Sequence, residues 1–451
     1  MTTHAVIATP GAQVDAVGIG RDFGSVRALA GVDLTIAAGE IVALLGPSGS
    51  GKSTLLRILA GLEQPTTGEL RFDGRSQLGV PPHQRDVSMV FQHYALYPHL
   101  SALDNLVLAL RYGRGMSRAA ARARADETLR MLGIAELARR RPAQMSGGQR
   151  QRVAIGRALA TRARVVLLDE PMSGLDAKLR VELRVEIVDL LRQLGTTAVF
   201  VTHDQAEAMA VGDRVAVMNQ GAIEQIATPD EIYDLPATRF VATFVGSPPM
   251  NVLEGTWAEG RLNGPGFSVA APPSAVAVGV RPEHLRLVRS GGSSGTSRDV
   301  PGSSTGPGAP AVSTGEVTGQ PAGGAGGRAA GEAAGQAAGG AGGAGGAGGA
   351  AGAAGAAGAA GRAADRAAHG AGPDAPDSGL SLHGQVVVAE RLGAERTMFV
   401  RSAAGMLGLR VDVSVPVVPD EVVTVTAPAS ALLCFGADGR SLPVPAARQP
   451  S

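Results

Sequence analysis

The chain of 451 residues has a single cysteine, Cys434. One cysteine excludes an intramolecular disulfide and suits a reducing compartment, where a lone thiol usually packs as a small hydrophobe. An excess of charge of one sign is also missing. Lys and Arg number 41 against 40 Asp and Glu, for a net charge of +1. That balance argues against a nucleic-acid binder that relies on a strong overall positive field. No window approaches the roughly 20 uninterrupted apolar residues of a transmembrane helix. The opening stretch, MTTHAVIATPGAQ, has neither a basic segment nor a long apolar core, so no secretory signal is expected. The hydrophobic fraction of 44% is swollen by alanine in a low-complexity tract and is not membrane character. Any link to a membrane must therefore run through a partner.

What is present divides along the chain. Residues 1–15 read as an N-terminal tail and 16–246 as one globular α/β domain. In that domain short apolar runs such as EIVALLG, VVLLD and TAVFVTH alternate with helical patterns. Such runs suit strands of a mostly parallel sheet buried on both faces. From Asp176 to Leu194 the residues Leu179, Leu183, Ile187, Leu190, Leu191 and Leu194 recur at helical spacing, which predicts a core-packing helix. Residues 247–288 turn to strand-like pieces punctuated by Gly and Pro. Residues 289–378 are rich in Gly, Ala, Ser and Pro, with glycine at every third position from Gly340 to Gly361. The other two positions there are Ala or Gly and never Pro, which disfavours a collagen helix and predicts a disordered insert. Strand texture returns in 379–451. The insert thus falls inside one small β domain.

Several motifs carry chemistry. GPSGSGKST, from Gly46 to Thr54, follows an apolar run and precedes a helical one, the strand–loop–helix context of a phosphate-binding loop. The loop comprises Gly46, Pro47, Ser48, Gly49, Ser50, Gly51, Lys52, Ser53 and Thr54. Its backbone N–H groups and the helix N-terminus would cradle phosphate oxygens. Lys52 would reach the β- and γ-phosphates, and Ser53 would ligate Mg²⁺. RVVLLDEP puts Asp169 and Glu170 at the end of an apolar run, where open α/β sheets bind ligands. Asp169 is the candidate Mg²⁺ holder and Glu170 the candidate group that polarises the attacking water. TAVFVTH ends at His203, which could sense the γ-phosphate. DVSMVFQ ends at Gln92, a neutral amide able to touch Mg²⁺ or the water. MSGGQ places Ser146 as the N-cap of a helix expected to begin near Gln149, with Gly147 and Gly148 open to close phosphate approach. The arginines between Arg111 and Arg141 read as a solvated helical face, since the interleaved aromatics of a stacking reader are sparse.

Taken in order, GPSGSGKST, Gln92, MSGGQ, VVLLDEP, SGLD and VTHD resemble the ATP-binding subunits of ABC transporters. The stretches VFQHYALYPHLSALDNL, SGLDAKLR, FVGSPPMN, VGVRPEHL and VVAERLGAE narrow the resemblance to importers of sugars and glycerol-3-phosphate. The resemblance implies a P-loop α/β core, a helical subdomain over about 93–145, and a β-rich, OB-like C-terminal domain, here split by the insert. It puts Phe23 where an aromatic stacks on adenine. It implies a head-to-tail homodimer with ATP and Mg²⁺ at the seam. Gly46 to Thr54, Gln92, Asp169, Glu170 and His203 of one subunit would face Ser146, Gly147, Gly148 and Gln149 of the other, with Asp176 coupling the two sites. Tyr94–Leu100 would meet a helix of two permease subunits, and a solute-binding protein would act indirectly. The chain would then sit peripherally on the cytoplasmic face of the membrane. Met145 stands where leucine is usual and Gly174 where asparagine is frequent, and neither removes a reacting group. Importers of polyamine, sulfate, iron or molybdate share this core and are the nearest alternative. A soluble ABC ATPase acting on nucleic acid or the ribosome usually has two cores or a coiled-coil insertion, and this chain shows neither.

Overall fold

The computed structural model describes residues 10–289 and 378–443. The disordered insert expected over 289–378 lies outside the described residues except at its ends, Arg289 and Ser378, and Ser378 already opens a strand.

The central sheet has six strands in the order β10-β9-β3-β8-β7-β6. They are β3 (Ile41–Leu45), β6 (Val87–Val90), β7 (Val165–Asp169), β8 (Thr197–Thr202), β9 (Arg214–Asn219) and β10 (Ala222–Ala227). All pair in parallel except β10, which runs antiparallel to β9. Alternate residues of each inner strand enter cores on opposite faces. Ala198 and Phe200 of β8 face one, and Val199 and Val201 face the other. This two-sided burial is why the strands read as continuous apolar runs. Phe200 is fully buried, worth roughly 1.5–3 kcal/mol relative to exposure.

A second sheet, antiparallel, has the order β2-β1-β4-β5, from β1 (Val14–Phe23), β2 (Val26–Ile36), β4 (Thr67–Phe72) and β5 (Arg75–Ser76). The domain thus begins before residue 16. Ala12 and Val14 are already buried, and the Gly11 N–H donates to the Gly195 carbonyl at 2.9 Å. Between this sheet and the central one packs α1 (Lys52–Ala60). The opposite face of the central sheet carries α2 (Ala102–Leu108), α3 (Arg118–Met131), α4 (Gly147–Ala160) and α5 (Ala177–Leu194). Leu183, Ile187, Leu190, Leu191 and Leu194 of α5 are buried, and Leu179 packs partly buried against the same core. Then come α6 (Gln205–Val211), α7 (Pro229–Asp234) and α8 (Arg239–Phe244).

The remainder is antiparallel β structure. One sheet orders β11-β15-β21-β22, from β11 (Asn251–Glu254), β15 (Ala275–Val280), β21 (Leu432–Gly436) and β22 (Ser441–Leu442). A smaller one orders β12-β13-β14, from β12 (Thr256–Ala258), β13 (Arg261–Gly264) and β14 (Phe267–Ala270). The largest orders β16-β20-β17-β18-β19, from β16 (Arg286–Val288), β17 (Ser378–Leu392), β18 (Glu395–Ser402), β19 (Gly405–Val411) and β20 (Val422–Pro428). Strands from both sides of residues 290–377 share one core, in which Leu253, Val278, Leu380 and Val425 are buried together. Arg281, only 3% exposed, ties this β region to the preceding α/β domain. Its guanidinium donates to the carbonyls of Ala242 and Tyr233 and stacks on the Tyr233 ring at 4.0 Å. No helix among the described residues is long and apolar enough to cross a membrane.

Candidate active site

The strand order β3-β8-β7-β6 sets four carboxyl ends side by side, the edge at which open α/β sheets hold ligands. From β3 springs the loop Gly46–Gly51, and α1 starts at Lys52. Gly51 has a left-handed φ of 100°, and a Cβ there would lie 2.7 Å from the Ala28 carbonyl of β2. Only glycine lets the loop press against that strand. Ser48 and Gly49 form the exposed tip, while Ser50 is buried. The Lys52 side chain is buried at 6% exposure and turned into its own loop. Its Nζ donates to the carbonyls of Gly46 and Pro47, each at 2.8 Å, and lies 3.4 Å from Ser50 Oγ. Burial lowers the Lys52 pKa, and the nearby Glu170 and Asp169 carboxylates oppose that shift.

Asp169 is the last residue of β7 and Glu170 the first beyond it, so the strand ends at one carboxylate rather than two. Ser53 Oγ donates to Asp169 Oδ1 at 3.2 Å. Burial pushes the Asp169 carboxyl upward, and that hydrogen bond offsets part of the shift. Glu170 has a left-handed φ of 44°, a strained conformation of the kind that clusters at functional sites. The twist turns its carboxylate between two neighbouring loops. Gln92 Nε2 donates to Glu170 Oε2 at 2.8 Å, and His203 Nδ1 lies 3.1 Å from Glu170 Oε1. Gln92 lies two residues past β6 and His203 one past β8, so both stand on loops beyond the strands.

A Mg²⁺ ion typically takes one or two protein ligands and fills its octahedron with water and phosphate oxygens. Ser53 Oγ and Asp169 Oδ1 already converge, which fits that need. Among the described residues no group of three or more His, Cys, Asp and Glu forms a metal cage, so this pair fits an ion brought in with phosphates. Gln92, the other expected metal contact, spends its amide N–H on Glu170.

The second glycine-rich motif stands apart from the first. Among the described residues no hydrogen bond joins Ser146–Gln149 to Gly46–Thr54. The helix α4 begins at Gly147, two residues earlier than the sequence pattern suggested, because Ser146 and Gln149 close a capping box. Ser146 Oγ accepts from the Gln149 N–H at 3.3 Å, and Gln149 Oε1 accepts from the Ser146 N–H at 3.0 Å. Gly148 also has an internal reason: a Cβ there would lie 2.3 Å from Leu179 Cδ2. Asp176 caps α5 by accepting from the Leu179 N–H at 3.0 Å. Phe23 ends β1 half-exposed, and the Arg21 guanidinium sits 4.5 Å over its ring.

Arg157 was not legible as a site residue. It sits on α4 and donates to the Ala95 carbonyl at 2.5 Å and the Tyr94 carbonyl at 3.3 Å. Tyr94 and Ala95 both take left-handed φ, 61° and 46°. Arg157 thereby fastens the loop after Gln92 to α4, the helix that Ser146 caps. Beside it opens a groove of about 580 Å³ lined by Phe91, Ala95, Tyr97, Tyr112 and Arg157 among others. The partner of Arg157 is 62 residues away in sequence, so no local pattern could have found it.

Comparison with known proteins adds to this geometry. A family model described as ABC transporter matches residues 29–173. The sn-glycerol-3-phosphate import ATP-binding protein UgpC of Cereibacter sphaeroides is 49% identical over 277 residues, covering 61% of this chain and 79% of that protein. The protein of the same description from Chromohalobacter salexigens is 51% identical over 279 residues, covering 60% and 75%. That of Rhizobium johnstonii, UgpC 1, is 48% identical over 286 residues, covering 60% and 76%.

Proposed function

The chain belongs to the ATP-binding proteins of ABC importers, and on that premise we propose that it hydrolyses ATP to drive uptake of a glycerol phosphate or related carbohydrate through two membrane permease subunits. The observation that carries the ATPase chemistry is the meeting of Gln92, Glu170 and His203 beside Lys52, Ser53 and Asp169 at four adjacent strand ends. The relatives named for sn-glycerol-3-phosphate import carry the choice of solute.

Lys52 exchanges the carbonyls of Gly46 and Pro47 for β- and γ-phosphate oxygens when ATP enters. The loop N–H groups and the N-terminus of α1 add favourable dipoles. Mg²⁺ supplies charge neutralisation at the phosphates, with Ser53 and Asp169 as the residues that would hold it. Glu170 orients and polarises the attacking water, and Gln92 and His203 hold its carboxylate on either side. Phosphoryl transfer of this kind is chiefly positioning and electrostatic stabilisation. Phe23 offers its ring to adenine. Ser146, Gly147, Gly148 and Gln149 of a second copy complete the phosphate site head to tail, and Asp176 lies at the seam. The separation of MSGGQ from the P-loop within one chain supports that arrangement. The groove beside Tyr97 and Arg157 receives a permease helix over Tyr94–Leu100. The chain then works on the cytoplasmic face of the membrane, and a solute-binding protein outside meets it only through the permeases.

Glu170→Gln keeps the Gln92 contact in reach while removing the base. The expected result is loss of turnover of about 10²-fold or more with an ATP-dependent dimer retained. A Glu170→Gln protein that hydrolyses ATP like the parent refutes the assignment. Uptake of labelled sn-glycerol-3-phosphate by a deletion strain with and without the chain tests the solute separately, and unchanged uptake refutes that choice.

A further inference from the structure

One ionic cluster, which the mechanism above does not use, joins two loops of the site. Arg180 stands in the first turn of α5, directly after the SGLD turn. Its Nη2 donates to the Leu175 carbonyl of that turn at 3.1 Å. Its Nη1 donates to Asp204 Oδ2 at 3.2 Å, and its Nε lies 3.6 Å from Glu207 Oε1. Glu207 is 6% exposed. Thr202 Oγ1 donates to Glu207 Oε2 at 2.6 Å and accepts from the Asp204 N–H at 3.0 Å. Thr202 and Asp204 are the chain neighbours of His203. One guanidinium therefore donates to the Leu175 carbonyl of the SGLD turn and to the Asp204 carboxylate of the His203 turn, and its Nε stands within ion-pair range of Glu207 without a hydrogen bond.

The residue type matters. A planar fork with several fixed donors can grip a carbonyl and two carboxylates at once, whereas a lysine ammonium is a single point charge. A buried carboxylate such as Glu207 is costly unless paired, so the cluster has reason to stay closed.

We propose that Arg180 is a positioning residue for ATP hydrolysis. It makes Ser173–Asp176 and Thr202–Asp204 one mechanical piece, so His203 reaches Glu170 only while the SGLD turn is seated. The inference rests on the function proposed above and deepens it: dimer closure, felt first at Asp176, is transmitted to His203 within the same chain through Arg180.

The test is steady-state hydrolysis and ATP binding by the full-length chain as Arg180→Ala, Arg180→Lys, His203→Ala and the Arg180→Ala/His203→Ala double variant. Arg180→Ala is expected to lower kcat by about 10- to 100-fold, the scale of a small misplacement of a reacting group, with the ATP Kd nearly unchanged. Arg180→Lys should recover only part of that loss. In the His203→Ala background, removing Arg180 should cost less than about two-fold more, because the group it positions is gone. Additive losses, or a loss that appears in the ATP Kd instead of kcat, overturn the proposal. Removing the guanidinium takes the cation from beside buried Glu207 and leaves it only the Thr202 hydroxyl, so Arg180→Ala/Glu207→Gln keeps misfolding from being read as mispositioning. Full kcat in that folded double variant also overturns it. Glu170→Gln separates the two readings: full activity there sinks the function itself, whereas an inactive Glu170→Gln beside a fully active Arg180→Ala sinks only the role of Arg180.

Discussion

Gln92 Nε2 donates a hydrogen bond to Glu170 Oε2 at 2.8 Å, from the loop beyond β6 to the residue beyond β7. The amide is the right group there because it can donate without adding charge. Gln92→Glu replaces it with a second carboxylate at hydrogen-bond distance. Two like charges so placed cannot both ionise freely, so the shared pKa rises. The base must be ionised to act. The acid limb of the pH–rate profile for ATP hydrolysis is therefore expected to move to higher pH in Gln92→Glu, with activity partly recovered under alkaline conditions. A profile that keeps its acid limb, lowered uniformly, would show that Gln92 does not touch the working carboxylate.

Ser146 faces its own helix, not its own P-loop. Ser146→Arg removes a cap, a cost of about 1 kcal/mol, and puts a long cation where the second copy's nucleotide would rest. ATP binding by the isolated chain should survive while ATP-driven dimerisation and hydrolysis are lost. Ser146→Asn keeps a capping oxygen and should retain most of the stability. Equilibrium binding of ATP and gel filtration with ATP check this. Loss of ATP binding in a folded Ser146→Arg monomer would put the loop on the wrong side of the nucleotide.

Gly148 packs where a Cβ would meet Leu179 Cδ2 at 2.3 Å. Gly148→Ala gains up to about 1 kcal/mol of helix propensity and loses about 1–3 kcal/mol to overpacking. A net loss of roughly 1 kcal/mol is expected in thermal or denaturant melts. In a Leu179→Ala background the clash is absent and the same substitution should be neutral or stabilising. Equal effects in both backgrounds would show that the glycine answers to something other than α5.

The parts of the site that the sequence made legible are those set by local pattern. β3, β7 and β8 are buried on both faces, so each reads as an unbroken apolar run, and the chemistry-bearing residues follow at the run's end. The Ser146 N-cap is legible for the same reason, whereas the Gln149 half of its capping box, which starts α4 at Gly147, is not. Gln92 and His203 were expected at strand ends and lie just past them, because the last ladder bonds stop where the chain turns out to solvent. The left-handed backbone at Tyr94, Ala95 and Glu170 left no trace, since none is a glycine and the strain is imposed by tertiary contacts. The arginines were the larger omission. Arg157 and Arg281 hold carbonyls supplied by another element and Arg180 holds the Asp204 carboxylate of another, yet by composition they resemble the exposed arginines of α3. A guanidinium that organises backbone at long range differs from a solvated one only in its surroundings, which the sequence does not spell out.

Asp73 links Gln13, just before β1, to Arg164, just before β7. Its Oδ1 accepts from the Gln13 N–H at 2.9 Å, and its Oδ2 pairs with Arg164 Nη1 at 2.5 Å. The Gln13 N–H first, and Arg164 with it, hold the Asp73 carboxyl below its ordinary value of 3.8. A depressed carboxyl contributes stability that is present above its unfolded pKa and is lost as pH falls through the folded one. Asp73→Asn should therefore destabilise the chain near neutrality, and the gap between parent and variant should close as pH drops below about 4. Denaturant melts of both proteins from pH 7 downward measure this. A gap that stays constant with pH would mean that Asp73 acts by shape alone, through the turn it forms at φ 47°, and not by its charge.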